Sequence, residues 1–147
     1  MPDLLDHETP DEEDFVVSWL QSVMRSATER KSDDELPFAQ VQYIVGSDDE
    51  CYGTSDGVIQ VDFFDTAREG MTAAQAAKET SRIGHRSMMY LARYVPEVVV
   101  SNGCTVCADY VNCTMKPVRM PYANERVVRY TARYELGLSY VAVNDES

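Results

Sequence analysis

Apolar and polar side chains alternate over the 17 residues from Val127 to Val143. The even-numbered positions are all apolar or aromatic, whereas the odd-numbered positions include Arg129, Arg133 and Glu135. This period of two predicts a β-strand with one face toward a core and one face toward water. At about 3.3 Å per residue the strand would be roughly 55 Å long, well past the usual length. We therefore expect it to bend, with Gly137 as the bending point, or to reach beyond its own domain.

The charge of the chain is strongly negative and unevenly distributed. The formal charge is −12 over 147 residues, and residues 1–14 hold seven acidic side chains and no basic one, which leaves 18 acidic against 13 basic side chains elsewhere. No basic stripe is available to displace counterions from a phosphate backbone, so we do not expect nucleic acid as a partner. We predict a flexible acidic arm over residues 1–10 and a single domain over residues 11–147.

The sequence gives no sign of a membrane protein or a secreted one. It has no apolar run near the about 20 residues of a membrane span, and its leading residues lack the order of a secretory signal. We therefore expect synthesis in the cytoplasm, where the four cysteines would remain reduced thiols.

Two stretches have the apolar spacing of amphipathic helices. The first begins after Asp11, which is placed to cap it, and we expect it to end near Thr28 with Trp19 on the core. The second begins at Thr72, where Gln75 completes a capping box, and is long and rich in alanine in its first half.

Three further stretches alternate as half-buried strands do. Residues 38–45 and 58–64 are expected to form a hairpin, joined by a long acidic loop that contains Asp48 and Asp49. Residues 104–115 would form a second hairpin with the long final strand. We therefore predict an α+β fold, in which an antiparallel sheet of about four strands carries two main helices on one face and leaves the other face polar.

Motifs of catalysis and metal binding are incomplete. Cys104 and Cys107 have the spacing of a zinc pair, but the second pair of a structural zinc site is missing, and a redox dithiol would open a helix rather than precede a strand. His85 has no nucleophile in a suitable setting, and the acidic residues 48–56 lack the spacing of a calcium loop. We predict no enzyme activity, no cofactor and no metal site, with the cysteines as small buried residues.

Four pieces of the sequence follow one another in a recognisable order. They are Leu36-Pro37-Phe38 leading toward Gly46 and Asp48-Asp49; Ile59-x-Val61-Asp62-Phe63-Phe64; a helix with Ala73, Ala76, Ala77 and Arg82-x-x-His85-Arg86-x-Met88; and Arg129-Tyr130-x-Ala132-Arg133-Tyr134. As an ordered set, spanning about residues 12–143, they resemble the tail terminator proteins of long-tailed bacteriophages, especially those of actinobacteria.

The resemblance implies a structural virion protein. It would form a hexameric ring on the head-proximal end of the tail tube, stop tube polymerisation and offer a docking surface to the head–tail connector. Its partners would be itself, the tail tube protein and the connector, without a membrane or specific nucleic acid, and it would assemble in the cytoplasm of the host. A ring closed by heterologous contacts needs two different patches per subunit. Our candidate interface residues are Asp48, Asp49, Arg82, Arg86, Arg129, Arg133 and Glu135.

Two other interpretations remain open at this stage. Another neck or connector component would share the size and acidity, although the Ala-rich helix followed by the Arg-Tyr-x-Ala-Arg-Tyr strand favours a terminator. A small α+β enzyme or ligand-binding module belongs to a different class, and a deep apolar pocket lined by His or Cys with perturbed pKa values would support it.

Overall fold

The computed structural model describes residues 7–8, 10–31, 34–49, 54–94, 97–139 and 141–142. Within these residues two helices and eight strands follow one another along the chain. They are β1 (His7–Glu8), α1 (Glu12–Leu20), β2 (Arg25–Ala27), β3 (Phe38–Asp49), β4 (Thr54–Thr66), α2 (Ala73–Tyr94), β5 (Glu97–Val99), β6 (Thr105–Met120), β7 (Val127–Ser139) and β8 (Val141–Ala142).

The main sheet has six strands in the order β2-β3-β4-β7-β6-β5 and is curled into a half-barrel. The pairing of β2 with β3 is parallel, and all other pairings in this sheet are antiparallel. The predicted α+β class with two helices is confirmed. The prediction of about four antiparallel strands was wrong, because the short edge strands β2 and β5 add to the sheet and β2 makes it mixed.

One large hydrophobic core lies between the sheet and both helices. Phe15 and Leu20 of α1 share this core with Met88 and Leu91 of α2, which places the two helices on the same face of the sheet. The sheet contributes buried side chains from its central strands at alternate positions, as a half-buried strand must. These include Val41, Ile59, Val61, Phe63, Ala132, Tyr134 and Leu136, all 0% exposed.

The first helix is shorter than its apolar spacing predicts. α1 ends at Leu20, not near Thr28, and residues 25–27 form β2 instead. The Ser26 hydroxyl donates to the carbonyl of Val17 at 3.0 Å, and the Gln21 side chain donates to the carbonyl of Ser26 at 2.7 Å. Pairing of β2 with β3 therefore replaces helical hydrogen bonds that the sequence pattern alone favours.

Both predicted helix starts are confirmed. The Asp11 carboxylate accepts hydrogen bonds from the backbone N–H groups of Glu13 and Asp14, at 2.9 and 3.2 Å. Thr72 and Gln75 form a reciprocal capping box, in which each side chain binds the backbone N–H of the other residue. Trp19 is half-buried, and its indole N–H donates to the carbonyl of Ser87 at 3.1 Å, so it joins α1 to α2.

The first hairpin is longer than predicted and its loop is shorter. β3 continues to Asp49 and β4 begins at Thr54, with Gly46 directly opposite Gly57, so most of the predicted loop is paired strand. A Cβ at Gly57 would lie 2.9 Å from Oε2 of the buried Glu12, so a side chain there would displace this carboxylate. That carboxylate accepts a 2.7 Å hydrogen bond from the Ser55 hydroxyl. Residues 50–53 lie outside the described residues.

The long final strand continues through Gly137, where we predicted a bend, and β6 shifts register opposite it, between Ala108 and Tyr110. β7 pairs with both neighbours through this position, and the ring of Tyr110 lies over the glycine. The strand ends at Ser139, and Val141–Ala142 forms β8, which pairs with His7–Glu8 as a separate two-stranded sheet. Of the predicted acidic arm, the structure thus describes residues 7–8 as β1, together with a buried Pro10.

A second, smaller apolar cluster lies on the opposite face of the sheet. Phe38 and Phe64 face each other across β3 and β4 there, and Val127 at the start of β7 joins them. Ala27 at the end of β2 and Leu36 just before β3 pack against this cluster. One end of the otherwise polar face is therefore covered.

Candidate interaction surfaces

The seven predicted interface residues fall in three separate places and do not form one site. Two lie near the tip of the β3–β4 hairpin, two lie on α2 and three lie on β7. The α2 pair and the β7 group are on opposite sides of the sheet, because α2 packs on the core face and the odd-numbered β7 residues point away from it. A chain with such an arrangement presents different surfaces in different directions.

The hairpin carries acidic and apolar side chains together. Asp48 is exposed, and the side chain of Asp49 lies outside the described residues. Three consecutive apolar residues, Tyr43, Ile44 and Val45, are 44%, 42% and 58% exposed just before these acids. A shift of register between Tyr43 and Val45 leaves Ile44 as an extra residue of the strand. The hairpin therefore offers an apolar surface bordered by carboxylates.

The outward side of α2 is a mixed basic and aromatic stripe. Arg82 is exposed and its Nε donates to Glu79 at 2.8 Å, and Arg86 is exposed further along the same side. Ile83, 42% exposed, and Tyr90, 54% exposed, lie beside them at helical spacing. Exposed aromatic and arginine side chains together are typical of protein interfaces.

The polar face of β7 is built from cross-strand hydrogen bonds. The exposed Arg133 donates from Nε to Gln60 of β4 at 3.1 Å, and the buried Thr131 donates to Asp62 at 2.5 Å. Glu135 is half-buried beside them. The prediction that these side chains leave the core is confirmed, but Arg129 differs from Arg133 because its Nε is buried.

Two strand edges of the main sheet are left unpaired over much of their length. β2 covers only residues 38–40 of β3, and β5 covers only residues 105–107 of β6. Among the described residues, no strand pairs with the outer side of residues 41–49, which we call the β3 edge, or of residues 108–120, which we call the β6 edge. Unpaired edges are ready templates for another chain.

These two edges lie at the same level of the sheet. Following the register across the strands, Gln42 is aligned with Met115, and Asp48 is aligned with Ala108. β3 and β6 also run in opposite directions, since three antiparallel pairings separate them. A neighbouring copy placed beside the sheet would therefore meet the β3 edge with its β6 edge in antiparallel orientation.

The β3 edge is partly occupied by α1. The backbone N–H of Tyr43 donates to Oε2 of Glu13 at 2.7 Å. Desolvation and the nearby carboxylates of Glu12 and Asp48 raise the pKa of the Tyr43 phenol. The helix thus satisfies one backbone donor at the register shift.

His85 forms a half-buried pair with Tyr134. Its Nδ1 lies 2.7 Å from the Tyr134 hydroxyl, and the two rings stack at 5.8 Å between centroids. Burial, and then the charge of Lys116, lower the pKa of His85, while burial raises the pKa of Tyr134. The pair joins α2 to β7 through this hydrogen bond and the ring stacking.

The three cysteines within the described residues do not come together as a metal centre. Cys104, Cys107 and Cys113 are free thiols and half-buried, and Cys51 lies outside the described residues. Burial raises the pKa of both Cys107 and Cys113, which disfavours the thiolate. No three His, Cys, Asp or Glu side chains of the described part converge as ligands. Neither helix in that part is long and apolar enough to cross a membrane.

Sequence reasoning missed the two unpaired edges. The β3 edge left one signal, the consecutive apolar residues 43–45 within an alternating strand. The β6 edge left none, because only the strand order shows that β5 stops short of it. The chain matches no protein-family model, and a search of curated proteins returned no match.

Proposed function

We propose that this protein is a structural, non-catalytic tail-completion protein that assembles with copies of itself into a ring. In the setting that the sequence resemblance suggests, six copies would cap the head-proximal end of a phage tail tube. The ring would end polymerisation of the tube and present its other side to the head–tail connector.

The observation that supports this proposal is that the β3 edge and the β6 edge are different surfaces and lie at the same level of the sheet. In a heterologous contact, the β3 edge of one copy binds the β6 edge of the next copy. Each copy then still has one free edge for a further copy, so the contact can repeat until a ring closes. Exposed Ile44 and Val45 on one edge, and Val118 on the other, supply apolar surface for such a contact. Backbone hydrogen bonds between strands would add affinity.

Two surfaces of different composition remain for the tube and the connector. Arg82 and Arg86 on α2 lie on one side of the sheet, and Arg133 and Glu135 on β7 lie on the other. A terminator must bind the tube and the connector with surfaces that differ, so that the tube does not continue through it.

The experiment is light scattering and negative-stain microscopy of the full chain, alone and with tail tubes of the same phage. We expect rings, with six copies as the leading count. Ile44→Asp should abolish the rings by placing a charge on the β3 edge, and Val118→Asp should do the same on the β6 edge. Val99→Asp is the matched control, since Val99 is 62% exposed on β5 and lies outside both edges.

Mixing the two edge variants tests whether the contact is heterologous. Each variant keeps one intact edge, so an equimolar mixture should form one-to-one dimers and no rings. Rings that survive both substitutions, or a protein that stays monomeric both alone and with tail tubes, would contradict the proposal. Thermal melts of the variants establish that each is folded before its assembly is judged.

A further inference from the structure

Two arginines from different segments are neighbours of Phe64, Arg30 through its side chain and Arg129 as the cross-strand partner. The guanidinium carbon of Arg30 lies 5.3 Å from the centroid of the Phe64 ring, and Arg129 is directly opposite Phe64 across the pairing of β4 with β7. Both Nε atoms are buried and have no hydrogen-bond partner. Among the described residues, neither arginine is in an ion pair.

Such an arrangement is costly without a counter-charge. Buried N–H donors are nearly always paired, so an acceptor for these two Nε–H groups would recover free energy that is lost without one. A carboxylate accepts hydrogen bonds from guanidinium groups in a matching planar geometry and would supply the missing acceptors.

An open cleft lies beside these arginines. It has a volume of about 520 Å³, is bordered by the ends of β6 and β7, and Arg129 is part of its wall together with Arg119. Tyr122 lines the cleft, and its hydroxyl lies 3.5 Å from Nη1 of Arg30. Arg30 is therefore next to the cleft wall. Met120 and Val127 give the cleft apolar walls, and Glu125 is its acidic member. The cleft therefore suits a short peptide with both carboxylates and apolar side chains.

We propose that this cleft binds the acidic leading segment of a second copy of the chain, with Asp3 and Asp6 as the counter-charges for Arg30 and Arg129. Residues 3–6 read Asp-Leu-Leu-Asp, which pairs two carboxylates with two apolar side chains, as the cleft requires. Residues 1–14 carry seven acids and no base, so the charge of this segment complements Arg119 and Arg129 of the cleft wall.

The segment serves another copy because it cannot reach its own cleft. β1 pairs with β8 beyond Ser139, whereas Arg129 lies ten residues earlier on β7, about 33 Å away along a strand. Asp3 lies four residues before His7 and can extend roughly 14 Å from it. The inference concerns a contact between copies and so rests on the self-assembly proposed above.

The test uses a labelled synthetic peptide of residues 1–8. Its binding is measured by fluorescence anisotropy at low salt to the full chain carrying Asp3→Asn, Asp6→Asn and Ile44→Asp, which removes competing segments and ring formation. We expect saturable binding that weakens about tenfold or more when Arg129→Gln is added, since a charge-assisted hydrogen bond is lost. Arg30→Gln should weaken it similarly. Arg86→Gln, on the far side of the sheet, is the matched control and should leave binding unchanged.

Three results would overturn the inference. They are the absence of saturable peptide binding, equal binding by the Arg129→Gln, Arg30→Gln and Arg86→Gln proteins, and equal binding of a peptide that carries both Asp3→Asn and Asp6→Asn. Binding of inorganic phosphate without binding of the peptide also counts against it. Because rings are scored separately by microscopy on the natural chain, peptide binding without rings contradicts the proposed function alone, and rings without peptide binding contradict this inference alone.

Discussion

The phenol of Tyr110 passes over Gly137 and donates a 2.6 Å hydrogen bond to the carboxylate of Asp56 two strands away. The three residues are aligned across β6, β7 and β4. Burial, and then the hydrogen bond to Asp56, raise the pKa of Tyr110 well above its usual range. Because Gly137 on β7 has no side chain, the ring of Tyr110 on β6 can cross β7 and reach Asp56 on β4.

Gly137→Ala should therefore displace the Tyr110 ring. The new Cβ would overlap the ring, and we expect a loss of about 1–3 kcal/mol in the free energy of unfolding. Tyr110→Phe, which removes only the hydrogen bond, should cost about 1 kcal/mol. Urea denaturation measures both. In a Tyr110→Ala background Gly137→Ala should be nearly neutral, and an undiminished cost there would show that the overlap with Tyr110 is not the cause.

Gly84→Ala should destabilise the protein although alanine favours helices. Gly84 lies on the buried side of α2 against the ring of Phe63, and a Cβ there would overlap that ring. We expect a net loss of about 1–3 kcal/mol by thermal or urea unfolding, because overpacking outweighs the gain of about 1 kcal/mol in helix propensity. A Phe63→Leu background should reduce the loss. A stabilised Gly84→Ala protein would refute this account of how α2 packs.

Thr80→Val should loosen the join between α2 and the end of β4. The Thr80 hydroxyl donates to the carboxylate of Asp65 at 2.7 Å, and both side chains are almost fully buried, with Arg68 on the same carboxylate oxygen. Loss of this bond should cost about 1–3 kcal/mol in urea unfolding. Thr114→Val, at an exposed position on β6, serves as the control and should change stability by at most about 0.5 kcal/mol. Equal effects of the two substitutions would show that the Asp65 contact contributes little.

Stability should fall as the pH is lowered through about 6.5, in part because of His85. Its folded pKa is lowered by burial and by Lys116, so the unfolded chain binds the proton more readily and acid favours unfolding. Melting temperatures from about pH 7.5 to about pH 5.5, a range that brackets the ordinary histidine pKa, measure the effect. His85→Gln should flatten this dependence. Parallel curves for the natural chain and His85→Gln would exclude the Tyr134–His85 pair as its source.

Much of the fold follows from local patterns that the sequence displays. The alternation around Tyr134 shows which face of β7 is buried, and Thr72 with Gln75 marks the start of α2, because strand period and helix capping depend on near neighbours. The end of α1 and the presence of β2 could not be read in this way. Both depend on the pairing of β2 with β3. Tertiary contacts, not local sequence, decide which segment pairs with β3.

The same distinction between local sequence and tertiary structure holds for the candidate sites. Sequence alone placed Arg133 and Glu135 on a polar face and located the acidic excess in residues 1–14, since both properties are carried by the order of side chains. Only the tertiary structure left the β3 and β6 edges unpaired at one level and brought Arg30 to the ring of Phe64 beside Arg129. Strand order, and the approach of segments far apart in the chain, are decided by how the core packs, and no local period encodes them.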